Sequence, residues 1–369
     1  MKNGVGFLNF LHHDLLIKIL TSLDDPSDLV RFSAVSLSCR HFVITNGLCK
    51  RLCLRMFPQL SRVDHVNELG GTAKRHAEAG SSNFMEWEAL EREHRVYALL
   101  ARYCLSSAVG NCISEAIMAS STDNYPQESI DNTLEPRDRV AWRASYWSSK
   151  GQRNPAAPER LTYKLVGDLC VVTEIKIKPF QAYFHIGYPI YSAKSVRFRM
   201  GHIKSSMENH VDDSYQDSGN DKFVWTYTSQ EFPMAQENHL QCFKLPDPIL
   251  CIGGILQIEL LERVQGCWNG LFYICVSNVQ AMGRPLSPAF GIQILEPPEK
   301  FVLEALSHAQ PTLPEQTSSE SSLQMRVKDL EQIVNSLLAY VDEVEENGFG
   351  WDTDTEESDA DEEGEDGIE

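Results

Sequence analysis

Asp14-Leu15-Leu16-Ile17-Lys18-Ile19-Leu20-Thr21-Ser22-Leu23, followed by Asp24-Asp25-Pro26-Ser27-Asp28-Leu29-Val30-Arg31-Phe32, decides how this chain begins. Leu15, Leu16, Ile19, Leu20 and Leu23 recur at helical spacing and make one broad apolar face. Asp24 to Asp28 ends that helix and opens the next, because proline suits a first helical turn and carboxylates suit the positive end of a helix dipole. Leu29, Val30 and Val35 continue on the second helix, Ser38 is placed to cap a third that carries Phe42 and Val43, and Gly47 breaks the run before Leu48, Leu52 and Met56. Several very short helices thus fall between Leu8 and Arg55. So small a module buries too little apolar surface to stand comfortably alone, and its spare face calls for a partner protein. On pattern alone, a helical cap on a larger domain stays open as the alternative.

The order of these residues resembles the F-box, in which a Leu-Pro-x-Glu-Leu start leads through an amphipathic helix, an Asp-Leu pair and a Val-Ser segment to a closing Leu-Trp-Lys. The matching positions are Leu11, Asp14, Leu15, Ile19, Leu20, Leu23, Asp28-Leu29, Val35-Ser36, Arg40, Phe42 and Leu48. His12 stands where the family has proline, and Cys39 and Cys49 stand where it has tryptophan. The resemblance implies an F-box over residues 7–57 that binds a Skp1-like adaptor and, through it, a cullin. It marks Leu11, Asp14, Leu15, Ile19, Leu29, Val30, Val35 and Phe42 as facing or supporting the adaptor. Sequence does not sort those that face outward from those that pack inward.

The net charge of −19 is a property of one end: residues Asp342 to Glu369 hold 15 Asp and Glu with no Lys or Arg, and the rest of the chain carries only −4. Residues 347–369 are expected to be a disordered acidic tail that serves solubility and spacing. Thr353 and Ser358, each with acid three residues on, are the alternative as modification sites. With no basic patch interleaved with aromatics, nucleic-acid binding is not expected. Ten cysteines are scattered without any Cys-x-x-Cys pair, which predicts reduced, mostly buried thiols and no metal site. No apolar run reaches membrane-spanning length and no secretory leader is evident, so the expected setting is cytoplasmic or nuclear, away from membranes.

Gly70-Gly71 and the polar residues to Ser82 read as a linker within the span 58–112. From Phe84, Trp87, Leu90, His94, Tyr97, Ala101 and Cys104 recur at helical spacing and give one long helix that braces the first module. Beyond Ser120 the period becomes two. Thr173-Ile175-Ile177, Val196-Phe198-Met200, Phe223-Trp225-Tyr227, Leu256-Ile258-Leu260 and Phe272-Ile274-Val276 alternate with polar residues. The fold class is therefore α+β and multidomain, with small helices followed by an antiparallel β-sandwich.

Ala119-Ser120-Ser121, Asp131-Asn132-Thr133, Tyr146-Trp147-Ser148-Ser149, Leu161 to Leu165 and Val172 to Ile177 resemble the discoidin-like (galactose-binding-like) jelly roll, here spanning 113–310. That family binds ligands through loops at one end. The matching candidates are Tyr125 in Asn124-Tyr125-Pro126, and Phe184, His185 and Tyr188 in Phe184-His185-Ile186-Gly187-Tyr188. The bland reading of the second loop is that it closes the open end of the sandwich. Residues 202 to 221 make a polar insertion.

After a linker at 311–322, Leu323, Val327, Leu330, Val334, Leu337, Val341 and Val344 form a heptad seam over 323–346, expected to self-associate or to dock back on the fold. There is no nucleophile elbow and no cluster of carboxylates, so no catalytic residue, cofactor or metal is assigned. Together the resemblances imply a substrate-recognition subunit of an SCF-type ubiquitin ligase that holds an unknown protein target on its sandwich. A lectin-like sandwich with a regulatory or scaffolding helical start is the alternative.

Overall fold

The computed structural model describes residues 12–68, 82–106, 108–137, 139–140, 143–204, 222–295 and 300–306. Leu11, most of the polar insertion, the linkers at 69–81 and 311–322, the heptad segment 323–346 and the acidic tail 347–369 lie outside the described residues.

Four short helices open the fold: α1 His13–Thr21, α2 Pro26–Val35, α3 Leu37–Thr45 and α4 Leu48–Met56. Each boundary has a local cause. Asp25 accepts the Ser27 N–H at 2.8 Å and Pro26 occupies the first turn of α2. Ser36, not the expected Ser38, caps α3 by accepting the Cys39 N–H at 3.1 Å. Ser36 is extended, as a cap must be, whereas Ser38 already lies within the helix. Gly47 turns the chain with φ +56° before α4. Arg55 of α4 then donates to the Thr21 and Leu23 carbonyls and pairs with Asp24 at 3.0 Å, which pins the end of α1.

The inward faces pack on the long helix α5, Ser82–Ser106. Leu16, Leu20, Leu29, Val43, Leu48, Leu52 and Cys53 share one core with Val96, Tyr97, Leu100 and Ala101. Arg40–Glu91 and Lys50–Glu93 pair at 2.6 Å each, and His41 stacks on Trp87 at 4.3 Å.

The strands, in chain order, are β1 Val63–Glu68, β2 Gly110–Asn111, β3 Ile113–Ala119, β4 Arg139–Val140, β5 Arg143–Ala144, β6 Trp147–Ser148, β7 Glu159–Leu165 and β8 Leu169–Pro179. They continue as β9 Ala193–Ile203, β10 Phe223–Thr228, β11 Phe232–Pro233, β12 Gln241–Ile252, β13 Ile255–Arg263, β14 Cys275–Pro285, β15 Phe290–Leu295 and β16 Lys300–Ala305. Two antiparallel sheets form the sandwich. One runs β10-β9-β13-β7-β3 with β11 beside β9; the other runs β12-β8-β14-β2 with β6 beside β14. Register sets Phe198 against Ile258 and Ile177 against Val279, and these apolar rows meet around Trp147 and Tyr163. Trp147 is fully buried, whereas Trp225 is only half-buried.

A third sheet was not anticipated: β1-β16-β15, in which β1 and β16 run parallel. The segment after residue 57 is therefore a 3-10 turn at Pro58–Arg62 and a strand rather than a linker. The sandwich sheets end at Pro285, and β15 and β16 belong to the sheet that joins the helices. Phe301, Leu303 and Ala305 of β16 lie in the same core as α5, together with Leu169, Leu250, Ile252 and Leu286 from one end of the sandwich. The helices and the sandwich are thus locked end to end. The expected alternation at Phe272-Ile274-Val276 begins later, because β14 starts at Cys275 and Phe272 instead bridges Gln152 and Gly266.

Candidate functional site

Two surfaces stand at opposite ends of this body. The first is the outer face of α1 to α3. Leu15, Ile19, Val30, Val35 and Leu37 are exposed there, although the module's inner face is fully packed. The structure thereby divides the residues expected to meet an adaptor into exposed and buried ones. Leu29 is 1% exposed and belongs to the core, while its neighbour Val30 is 49% exposed. Phe42 is half-buried, packs on the core and lies 5.0 Å from the His13 ring, so it supports the face rather than forming it. Asp14 is exposed beside His12 and His13. Leu37, 80% exposed directly after the Ser36 cap, joins them although the sequence pattern does not single it out. Five large apolar side chains left exposed on a module with a filled core point to an interaction surface.

The second surface is the far end of the sandwich, framed by the loops after β3, β8 and β13. Tyr146 and Phe180 stack at 4.1 Å and form the floor of a cavity of about 280 Å³. Phe184, His185 and Tyr191 line it from one side and Trp268 and Asn269 from another. His185 Nδ1 lies 2.9 Å from the Tyr191 hydroxyl. Glu128 Oε1 accepts from the Tyr146 hydroxyl at 2.7 Å and from Asn124 at 3.0 Å. Burial, and then the Glu128 charge, hold the Asp123 carboxyl above its ordinary range against the pull of Lys150. Burial and the bond to Glu128 push the Tyr146 hydroxyl up as well.

The loop candidates divide here. Phe184 and His185 line the cavity; Tyr125 and Tyr188 are exposed on the same loops without lining it. Tyr188 is held at φ +50° beside Gly187, whose φ is +83°. Asp123, Glu128 and Trp268 were not singled out from sequence, and only the Trp-Asn-Gly turn at 268–270 offered a signal.

Beneath the cavity Arg263 is buried and pairs with Glu159. It also donates to Ser149 Oγ at 2.9 Å and to the carbonyls of Lys150, Phe272 and Ala157 at 2.9, 3.0 and 3.1 Å. Ser120 and Ser121 donate to the same Glu159 carboxylate. One buried pair therefore ties four loop segments together. Among the described residues no group of three His, Cys, Asp or Glu side chains could hold a metal.

Over 349 residues the chain is 49% identical to F-box protein At4g00755 of Arabidopsis thaliana, a match spanning 90% of this chain and 92% of that protein. The chain belongs to the F-box protein family. The α1 to α4 module carries the exposed apolar side chains Leu15, Ile19, Val30, Val35 and Leu37. No family model matches the chain. Among solved structures the F-box protein's sandwich is similar to a family 32 carbohydrate-binding module from a Clostridium perfringens glycoside hydrolase. That likeness has a TM-score of 0.32 and 12% identity, covering 46% of this chain and 90% of that one. It is similar also to the family 32 module of C. perfringens NanJ in complex with galactose, with a TM-score of 0.31 and 15% identity over 47% and 99% of the two chains.

Proposed function

We propose that this F-box protein is the target-recognition subunit of an SCF-type ubiquitin ligase. Its F-box takes a Skp1-like adaptor, and through it a cullin, while the loop end of the sandwich takes a target protein. The observation that carries this reading is the exposure of Leu15, Ile19, Val30, Val35 and Leu37 on a module whose inward side chains already pack on α5. The chain itself transfers nothing. It raises the concentration of the target near a ubiquitin-charged enzyme bound elsewhere in the assembly.

The fold suits that task. Strand β8 begins among the residues packed under the F-box, at Leu169 and Val171, and ends at Pro179, directly before the cavity-lining Phe180. Its 11 residues at about 3.3 Å each span roughly 35 Å from the core beneath the helices to the cavity. A stiff spacer between handle and target site fixes where the target is presented. Eight buried free thiols support a reducing setting, the cytoplasm or nucleus.

Co-purification from cells tests both ends. Leu15→Lys with Val30→Lys should lose the adaptor and keep loop-bound proteins; Phe184→Ala with Trp268→Ala should do the reverse. Retention of the adaptor by the first variant, or an unchanged set of bound proteins with the second, would overturn the assignment.

A further inference from the structure

The cavity at the loop end has a composition that selects among ligands. Its floor is the Tyr146–Phe180 stack and its walls include Phe184 and Trp268. Trp268 is 88% exposed, and no aromatic ring packs on it among the described residues. A bare indole beside an aromatic floor is poised to cover a flat or cationic group.

The charges on this wall are of one sign. Asp123 and Glu128 line the cavity, and no Lys or Arg does. The Asp123 carboxylate takes no hydrogen bond or ion pair among the described residues. Glu128 accepts its two donors on Oε1, which leaves Oε2 open. The nearest cations lie outside: Lys150 is exposed and acts on Asp123 from beyond the cavity, and Arg143 lines the neighbouring hollow. Asp123 is held above its ordinary range by desolvation and by Glu128, as befits two carboxylates with no cation between them. The adjoining rings already accept a guanidinium: Arg139 sits 4.0 Å from the centroid of Tyr183, whose ring contacts Phe184.

We propose that this cavity receives a single lysine or arginine side chain of the target protein, with the cation between the carboxylates of Asp123 and Glu128 and the alkyl or guanidinium stem against Trp268. This deepens the reading of the loop end as the target site and rests on it. An anionic ligand such as a phosphorylated side chain is disfavoured, since it would meet two carboxylates and no lining base. A cation relieves the repulsion between them and gains charge-assisted bonds in a partly desolvated place.

Selection of displayed random peptides on the full-length chain tests this, followed by titration of the enriched peptides into wild type, Asp123→Asn, Glu128→Gln and Trp268→Ala. Enriched peptides should share one Lys or Arg. Replacing it by glutamine or citrulline should weaken binding at least tenfold, and each carboxamide variant should do the same while adaptor binding and thermal unfolding stay unchanged. Peptides without a shared cation, peptides indifferent to both carboxamide variants, or no enrichment would overturn the inference. Binding to a glycan array that Trp268→Ala abolishes would overturn it in favour of a sugar. Peptides that bind strongly yet ignore Trp268→Ala as well as both carboxamide variants would sink the wider reading of the loop end. Peptides that respond to Trp268→Ala but need no cation leave that wider reading standing and remove only the cation.

Discussion

Val66 of β1 lies beside Leu303 of β16 in parallel register, so the strand that leaves the four short helices is held by a strand from the far side of the sandwich in sequence. Phe301 and Leu303, both fully buried, complete the core shared with α5. The helical module is consequently not an independent bead on a tether. Residues 1–68 expressed alone should give the narrow amide dispersion of an unfolded chain. In the full chain, Phe301→Ala should cost about 3–5 kcal/mol, the usual range for emptying a buried phenylalanine site. A fragment 1–68 with dispersed, protected amides would show that the helices need no such support.

Neighbouring residues on α2 should give opposite outcomes. Leu29→Lys places a charge in the core and should unfold or strongly destabilise the helical module; Val30→Lys should leave the unfolding temperature within a few degrees of wild type and still weaken adaptor binding. Circular dichroism melts run beside a pull-down separate the two. Equal melting of both variants would contradict the sorting of the face.

The Arg263–Glu159 pair should behave as a buried ion pair whose partners cannot be removed singly. Arg263→Met or Glu159→Leu should each destabilise by about 3–5 kcal/mol, because either leaves one uncompensated charge. Arg263→Lys should rescue poorly, since a single ammonium cannot reach Ser149, Glu159 and three carbonyls at once. Denaturant melts measure this directly, and a fully stable lysine variant would argue against the shared anchor beneath the cavity.

The thiols make a chemical test of the fold. Cys242 is exposed, Cys267 is half-exposed, and the other eight are buried. Burial pushes the Cys49, Cys104, Cys251 and Cys275 thiols up to about 12, far from the reactive thiolate at neutral pH. Brief alkylation of native protein should mark Cys242 first, as read by peptide mass spectrometry. Labelling of Cys251 at the same rate would contradict the packing of β12.

The residues differ in how much of this they disclose. The F-box was legible because helical spacing and the Asp25-Pro26 start are local signals that survive in tertiary context. The division between Leu29 and Val30 was not: both are apolar neighbours at the edge of one stripe, and α5, more than fifty residues away, helps decide which is covered. The strands at 173–177, 196–200 and 256–260 announced themselves by alternation against a buried face. Strand β1 did not, since Val63-Asp64-His65-Val66 carries a weak pattern and its partner lies near residue 303. At the loop end, Phe184 and His185 stood out as a local aromatic run. Asp123, Glu128 and Trp268 meet them only because antiparallel pairing returns three distant loops to the same edge. Likewise, nothing in Leu260-Leu261-Glu262-Arg263 distinguishes a buried arginine from a solvated one.

The proposed adaptor surface is made by the exposed apolar side chains of α1 to α3. Isothermal titration of a purified Skp1-like adaptor into the full-length chain and into its Leu15→Lys, Val30→Lys double variant measures it most directly. Saturable binding is expected of the wild type and a loss of at least a hundredfold of the variant, about 2.7 kcal/mol, at an unchanged unfolding temperature. Equal affinity of the two proteins, both folded, would contradict it.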